Sequence, residues 1–559
     1  MGTTNYGKSF RVYACAYYSE VTGSKTLLVV ERPDGIKFRI LIDDGYFQEI
    51  PYRFLNYVEE FDPAEIDAII ITHNHIDHTG MVPRTVKQGF RKNIYMTEIT
   101  QMLIGDYWRD SAEQQEDNAR DMRERYPDEA HKFHALYHIE DVEKSMKHCV
   151  GLGYRKTIEI LPGVKLTFWE NAHLLGASMV LLQCSYPGLK PFNFLFTGDF
   201  KFESSFSKVP LFPKWFRNME LIMFCESTYG STRREDIKYC FRDNILEAFA
   251  RKQNILIGAF AQGRMQEMLY EFKCMQDEGL IPPEYEIWVD GPLGITTTYK
   301  YQAILEAYGN PRKDFLPKGW QIVNPKTRES ILSNGVPKIL ITTSGMLSNG
   351  PAKVYVPLFL EHPHSLIHLV GYAAEETLAR KLLDTKREET VTIGNKLYQK
   401  RAVVKTTREK TSHATEDELL ELINLFTNVR FLGIVHGNTD VKAVFEQDIK
   451  KECPNVQDVG IFDREHMFAF YREGLKDDPY TRINVKAMPA GLLTDSKLLF
   501  GKAASEEKIS ENRRRAKEAK TNKSAKPKKG KRKCQNKGYK QKNNKKHRRN
   551  APRDRGRRN

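Results

Sequence analysis

Six consecutive residues, His73-Asn74-His75-Ile76-Asp77-His78, bring three imidazoles and a carboxylate together directly after the apolar run AIIIT (68–72). On extended backbone His73 and His75 lie two apart and point to one side. Asp77 and His78 follow where the chain turns into a helix. Imidazole and carboxylate donors suit zinc, with manganese as the alternative, and the spacing lets this short segment serve two ions. Residues of the same kind recur at the ends of other apolar runs: Asp43, His173, Asp199, Glu226 and His436. Strand carboxyl ends gather along one edge in layered α/β folds, so residues from 43 to 436 are expected in one cleft.

The elements that must position them read as alternating strands and helices, the pattern of an α/β protein. Predicted strands include 38–43, 68–72, 165–170, 179–184, 193–197, 221–225, 255–260, 286–290, 338–343, 365–370 and 431–435. Residues 100–150 are charged and helix-permissive, which predicts a helical excursion over one face. No internal repeat is present.

The ordered motifs make the resemblance specific. His-x-His-x-Asp-His resembles the metal-binding signature of the metallo-β-lactamase superfamily. Asp43 in LIDDG, His173 in NAHLLGAS and Asp199 in LFTGDF match its other motifs in order. Beyond these, Glu226 in CESTYG, His413 in KTSHATEDEL and His436 in LGIVHGN resemble the three motifs of the β-CASP nucleases. A histidine at the last of them is similar to the RNA-cleaving branch, which includes the pre-mRNA 3′-end cleavage subunit and its compact bacterial and archaeal relatives. Departures are NAH for AGH, VHGN for VHGE and Glu376 for a glycine; none removes a ligand.

The resemblance implies a metallo-β-lactamase αββα sandwich from 1–226 and 400–485, with an inserted α/β β-CASP domain at 227–399. It implies two zinc ions: His73, His75 and His173 on one, Asp77, His78 and His436 on the other, and Asp199 bridging. Such a pair lowers the pKa of a shared water and stabilises phosphoryl displacement. Asp43 would orient a ligand. His413 would be the general acid toward the leaving 5′-linked sugar oxygen, with Glu226 fixing its tautomer. The implied activity is RNA hydrolysis in RNA processing or decay, endonucleolytic or exonucleolytic, giving 5′-phosphate and 3′-hydroxyl ends. The alternatives are an inactive RNA-binding subunit and a DNA nuclease of the same superfamily. Arg264 and Arg380, in family-like segments, are weaker candidates for RNA contact.

Charge is divided unevenly. Residues 502–559 hold 25 Lys and Arg against 5 Asp and Glu, a net of +20, which leaves the first 501 residues at −5. So basic and apolar-poor a tail predicts disorder and affinity for a polyanion such as RNA. With 40% hydrophobic residues, a wholly disordered chain is excluded. No apolar run approaches the roughly 20 residues of a membrane span, and scattered cysteines point to neither disulfides nor a cysteine zinc knuckle. These features predict a protein without membrane attachment, cytoplasmic or, in a eukaryote, nuclear; a homodimer is an open alternative. Gly2–Ser9 spells the phosphate-loop pattern G-x-x-x-x-G-K-S, but only one residue precedes it and a strand-like run follows, so no ATP binding is expected. His131, His134 and His138 are read as a solvated face, and His362, His364 and His368 as loop or packing residues.

Overall fold

Among the described residues three large sheets organise the chain, and the near-continuous apolar runs are explained by strands buried on both faces. In Lys25–Glu31, Leu28 and Val30 face one core while Leu27 and Val29 face another. Ile222 and Phe224 alternate in the same way with Met223 and Cys225. Side chains alternate with a period of two, so a strand between two layers needs apolar residues at every position.

The computed structural model describes residues 10–489, apart from 19, 49–51, 59, 372, 374–376, 464–465 and 473–482. The expected basic tail, Gly2–Ser9 and Glu376 lie outside the described residues. All described residues belong to one unit, Met1–Ala504.

An eight-stranded sheet runs, in spatial order, through Asn484–Pro489, His466–Arg472, Phe10–Tyr18, Lys25–Glu31, Lys37–Ile42, Ala68–Ile70, Asn93–Thr97 and Cys149–Leu152. A seven-stranded sheet runs through Val459–Ile461, Val429–Ile434, Leu221–Cys225, Phe192–Phe196, Ser178–Cys184, Val164–Glu170 and Thr157–Leu161. Phe10, Val12, Phe168, Phe194 and Phe431 share the core between them. Helices cover both outer faces: Trp108 and Val142 pack on the first sheet, Leu419, Ile423 and Phe445 on the second. The result is an αββα sandwich.

The third sheet has six strands, all parallel: Gln321–Ile322, Glu286–Asp290, Lys338–Thr342, Asn254–Gly258, Ser365–Leu369 and Val403–Thr406. It too is covered on both faces, with Met268 and Phe272 on one and Tyr355 and Phe359 on the other. The helix Glu98–Arg125, capped by the Thr97 hydroxyl, ties the sandwich to this layer. Its Trp108 enters the sandwich's outer core, its Leu103 joins a core of the six-stranded sheet, and its Tyr107 hydroxyl lies 3.1 Å from Thr297 Oγ1. His131, His134 and His138 are exposed just beyond this helix. His368, by contrast, is fully buried within Ser365–Leu369.

Candidate metal centre

The sandwich gathers its polar strand ends at one edge. Asp43 and the 73–78 segment come from the eight-stranded sheet; His173, Asp199, Glu226 and His436 come from the seven-stranded one. Two of these residues stand on left-handed backbone, Asp43 at φ 57° and His436 at φ 50°. Non-glycine residues rarely adopt this conformation, at a cost of about 1–3 kcal/mol each, and the surrounding structure must hold it. Backbone bonds brace the turn around Asp77: Ser24 N–H donates to Asp77 O at 2.9 Å, and Asp44 N–H to His78 O at 2.7 Å. Gly45 is required beside it, since a Cβ there would lie 1.7 Å from Asp77 O. Buried Lys25 pairs with Asp44 and Glu60 behind this turn.

Four side chains meet first: His73, His75, His173 and Asp199. His75 Nδ1 lies 3.2 Å from both His73 Nε2 and His173 Nε2. Asp199 Oδ2 lies 3.5 Å from His73 Nε2 and 3.6 Å from His173 Nε2. A second group, Asp77, His78 and His436, adjoins it. There His78 Nε2 and His436 Nε2 are 3.1 Å apart, and Asp199 Oδ1 is 3.2 Å and 3.5 Å from them. Asp199 thus reaches both groups, one oxygen to each.

The tautomers follow from the far side of each ring. Thr72 Oγ1 gives its proton to Asp43 Oδ2 at 2.8 Å, so it can only accept from His73 Nδ1 at 3.1 Å. His173 Nδ1 donates to the Ser412 carbonyl at 2.9 Å, and His78 Nδ1 donates to Asp43 Oδ2 at 2.7 Å. With the protons spent outward, Nε2 of His73 and His173 faces inward as a bare lone pair. Burial holds both well below the usual imidazole range and takes His75 down to about 4. At His78 burial acts in the same direction, but Asp199 and Asp43 outweigh it and raise the ring well above its usual value. Burial alone would raise Asp199; His436, His78 and His413 bring it well below the carboxylate range instead.

These donors fit a metal. Zinc–nitrogen bonds of about 2.0–2.1 Å place tetrahedral ligand nitrogens about 3.3 Å apart, close to the separations here. Lone pairs facing one another repel unless a cation or proton lies between them. Asp199 Oδ1, fully buried, has only the His78 and His436 Nε2 atoms beside it, at 3.2 and 3.5 Å, so it is an acceptor placed where a cation can bind.

His413 lies alongside, its Nε2 3.9 Å from Asp199 Oδ2 and its Nδ1 3.0 Å from Glu226 Oε2. Glu226 is itself held by the Phe200 and Thr228 N–H groups. Burial would lower the His413 ring, but Glu226 first and Asp199 second raise it to about 9. The Ala414 N–H donates to Phe200 O, which fixes this segment beside Asp199. The two arginine candidates are otherwise engaged. Arg264 is buried and bound to Glu267 at 2.6 Å, and Arg380 donates to Ala373 O beside Asp384. Three contributors were not singled out from the sequence: Thr72, the Ser412 carbonyl, and Thr228, whose Oγ1 lies 2.9 Å from His436 Nδ1. The signal available for Thr72 and Thr228 is a hydroxyl beside a strand-end motif.

Comparison with known proteins defines the class. The metallo-beta-lactamase superfamily model matches residues 23–154, and the Beta-Casp domain model matches 265–382. One chain thus holds a segment matching the metallo-β-lactamase superfamily and, after it, one matching the β-CASP domain. More particularly, it is similar to transcription termination factor FttA of Methanococcus maripaludis, 30% identical over 64% of this chain and 55% of that protein. FttA of Methanosarcina mazei is 28% identical over 69% of this chain and 61% of its own length. The chain therefore spans less than two thirds of these relatives. Among solved structures, the metallo-beta-lactamase fold protein YhfI of Bacillus subtilis is 12% identical, covering 39% of this chain and 73% of that one, at a TM-score of 0.22, too low to carry an argument.

Proposed function

We propose that this chain is a metal-dependent ribonuclease with two zinc ions. The observation that carries the reading is the convergence of bare imidazole nitrogens on Asp199, with the His413–Glu226 pair beside them. His73, His75, His173 and Asp199 would hold one ion; Asp77, His78, His436 and Asp199 the other. Bound there, the ions supply Lewis acidity toward the phosphoryl group and a water of lowered pKa.

The chain's own residues do the rest. Asp43 holds the His78 proton at Nδ1 and leaves Nε2 for binding. Glu226 keeps a proton on His413 Nδ1, so the proton at Nε2 is the one available to a leaving group. Products with 5′-phosphate and 3′-hydroxyl ends require the bond to the 3′ oxygen to break. His413 therefore protonates the 3′ oxygen, not the 5′-linked oxygen named from sequence. The relatives are named transcription termination factors, which supports transcripts as the substrate class.

We read the sandwich as the catalytic domain and the six-stranded layer as the β-CASP insertion. Val403–Thr406 pairs within that layer, so the second sandwich segment is better started after 406 than at 400. Among the described residues no helix is long and apolar enough to cross a membrane.

The test is cleavage of end-blocked RNA and of matched DNA by zinc-loaded and chelated protein, with analysis of product ends and metal content. Metal-dependent RNA products with 5′-phosphate are expected. His413→Ala should keep its zinc and lose on the order of 10²–10⁴ in rate. Cyclic 2′,3′-phosphate ends, or zinc-loaded protein that binds RNA without cutting it, would overturn the reading.

A further inference from the structure

In the six-stranded sheet, Asn254–Gly258 and Lys338–Thr342 are neighbours, yet the chain leaves them in opposite directions. From the first it crosses to Glu286–Asp290, and from the second to Ser365–Leu369. Such a reversal in a parallel sheet opens a crevice at the carboxyl ends of the strands. Phe260 stands in the first of the two loops. It is 42% exposed, although Ala259 and Gln262 beside it are buried.

A single exposed apolar residue is ordinary; the setting of this one is not. Its backbone is pinned, with Ala259 N–H donating to Thr342 O at 2.9 Å and Met265 N–H to Phe260 O at 3.1 Å. Gly345 of the second loop lies against the ring, where an added Cβ would come within 3.0 Å of two ring atoms. The glycine lets the backbone support the ring on that side. The same loop reaches the segment that follows His173: Gln262 Nε2 donates to Leu175 O at 3.5 Å, and a Cβ on Gly263 would be 3.7 Å from Leu174. Leu174 and Leu175 directly follow His173. At the end of the adjoining strand, a Cβ on Gly371 would meet nothing within 4 Å. The cation of this loop, Arg264, is taken by Glu267, so the loop offers an aromatic surface rather than a phosphate contact.

We propose that Phe260 is the stacking platform for one nucleobase of single-stranded RNA, next to the cleaved phosphodiester. This rests on the ribonuclease reading. Because every base has a π face, the subsite accepts any of the four.

The test is a cycle between protein and RNA, run with the zinc-loaded full chain in a His413→Ala background that slows cutting. Affinity is measured for short RNAs carrying one abasic ribose at each position in turn. With Phe260 present, one register is expected to lose about 5- to 100-fold in affinity when abasic. Phe260→Ala should impose the same loss on intact RNA and then show no further loss at that register. Phe260→Trp should restore affinity, with tryptophan fluorescence quenched by RNA but not by the abasic strand. Equal zinc content in all variants checks the fold. Equal abasic costs in the two proteins, or intact RNA bound as tightly by Phe260→Ala, would overturn the proposal and leave the ring to another occupant, such as a protein surface. If the parent binds no RNA at any register, the ribonuclease reading itself falls, a separately recognisable result.

Discussion

Two buried aspartates, one ending a strand and one just beyond a strand, solve the same electrostatic problem in opposite ways. Asp290, ending Glu286–Asp290, receives Arg328 on both oxygens at 2.6 and 2.9 Å and the Tyr355 hydroxyl as well. Asp199, after Phe192–Phe196, is surrounded by His73, His78, His173 and His436 and has no lysine or arginine paired with it among the described contacts. A buried carboxylate needs a compensating charge. Where the chain supplies its own cation, the site is closed and its role is structural. Where it supplies imidazoles, the raised His78 and His413 rings provide part of that charge, and the bare nitrogens of His73 and His173 leave room for a cation from outside.

The largest effect should fall on Asp199. Asp199→Asn is expected to lose both metals on dialysis and at least about 10³-fold in cleavage. Its melting temperature should no longer respond to chelator, whereas the parent's should fall. A variant that kept two zinc ions would break the comparison outright.

Asp290→Asn should do the reverse. It should bind zinc normally yet unfold more easily by about 2–3 kcal/mol, with or without chelator. This is less than for a fully buried pair, because Arg328 is partly exposed. Urea midpoints read beside zinc content decide the matter.

Thr228→Val probes a finer point within the centre. If its hydroxyl orients His436, one of the two ions should bind about 10- to 100-fold more weakly, with Thr228→Ser restoring it. Cobalt titration, which separates the two sites by absorbance, would show no change if the contact were incidental.

The smallest effect concerns the buried histidine of the six-stranded sheet. His368 packs on Phe241 and accepts from Asn244 Nδ2 at 3.1 Å, and burial takes its ring down to about 4. Since the fold favours the neutral ring, its contribution is complete above pH 6.5 and is lost as pH falls toward 4, by up to about 3 kcal/mol. Metal-free His368→Leu should therefore lose less stability than the metal-free parent between pH 7 and 5. Parallel acid limbs for the two proteins would contradict this.

How much was legible in the sequence depends on whether a residue's role is fixed by its place on a strand. Asp43, His73, His173, Asp199, Glu226 and His436 could be read because apolar runs deliver them to one edge. The proton partners Thr72, Ser412 and Thr228 could not, since a hydroxyl or carbonyl acts through its distance to a ring and leaves no spacing pattern. The ion pair of Arg264 is local: Glu267 is three residues along the same helix, within reach of its guanidinium. The apolar run of Lys25–Glu31 is plain in the sequence and forms a strand. Val403–Thr406 is four residues long and only partly buried, so its apolar run is too weak to mark it as a strand of the parallel layer.

The pairing of Phe10–Tyr18 with His466–Arg472 joins the two ends of the described chain side by side in one sheet. During synthesis the strands of the parallel layer, all between 254 and 406, are complete before His413 and His436 leave the ribosome. The inserted layer can therefore fold while the sandwich around it still lacks four strands and two of its polar side chains. A nascent chain stalled before His436 would hold at most the first group of donors, so the second group is complete only once Val429–Ile434 has docked and delivered His436.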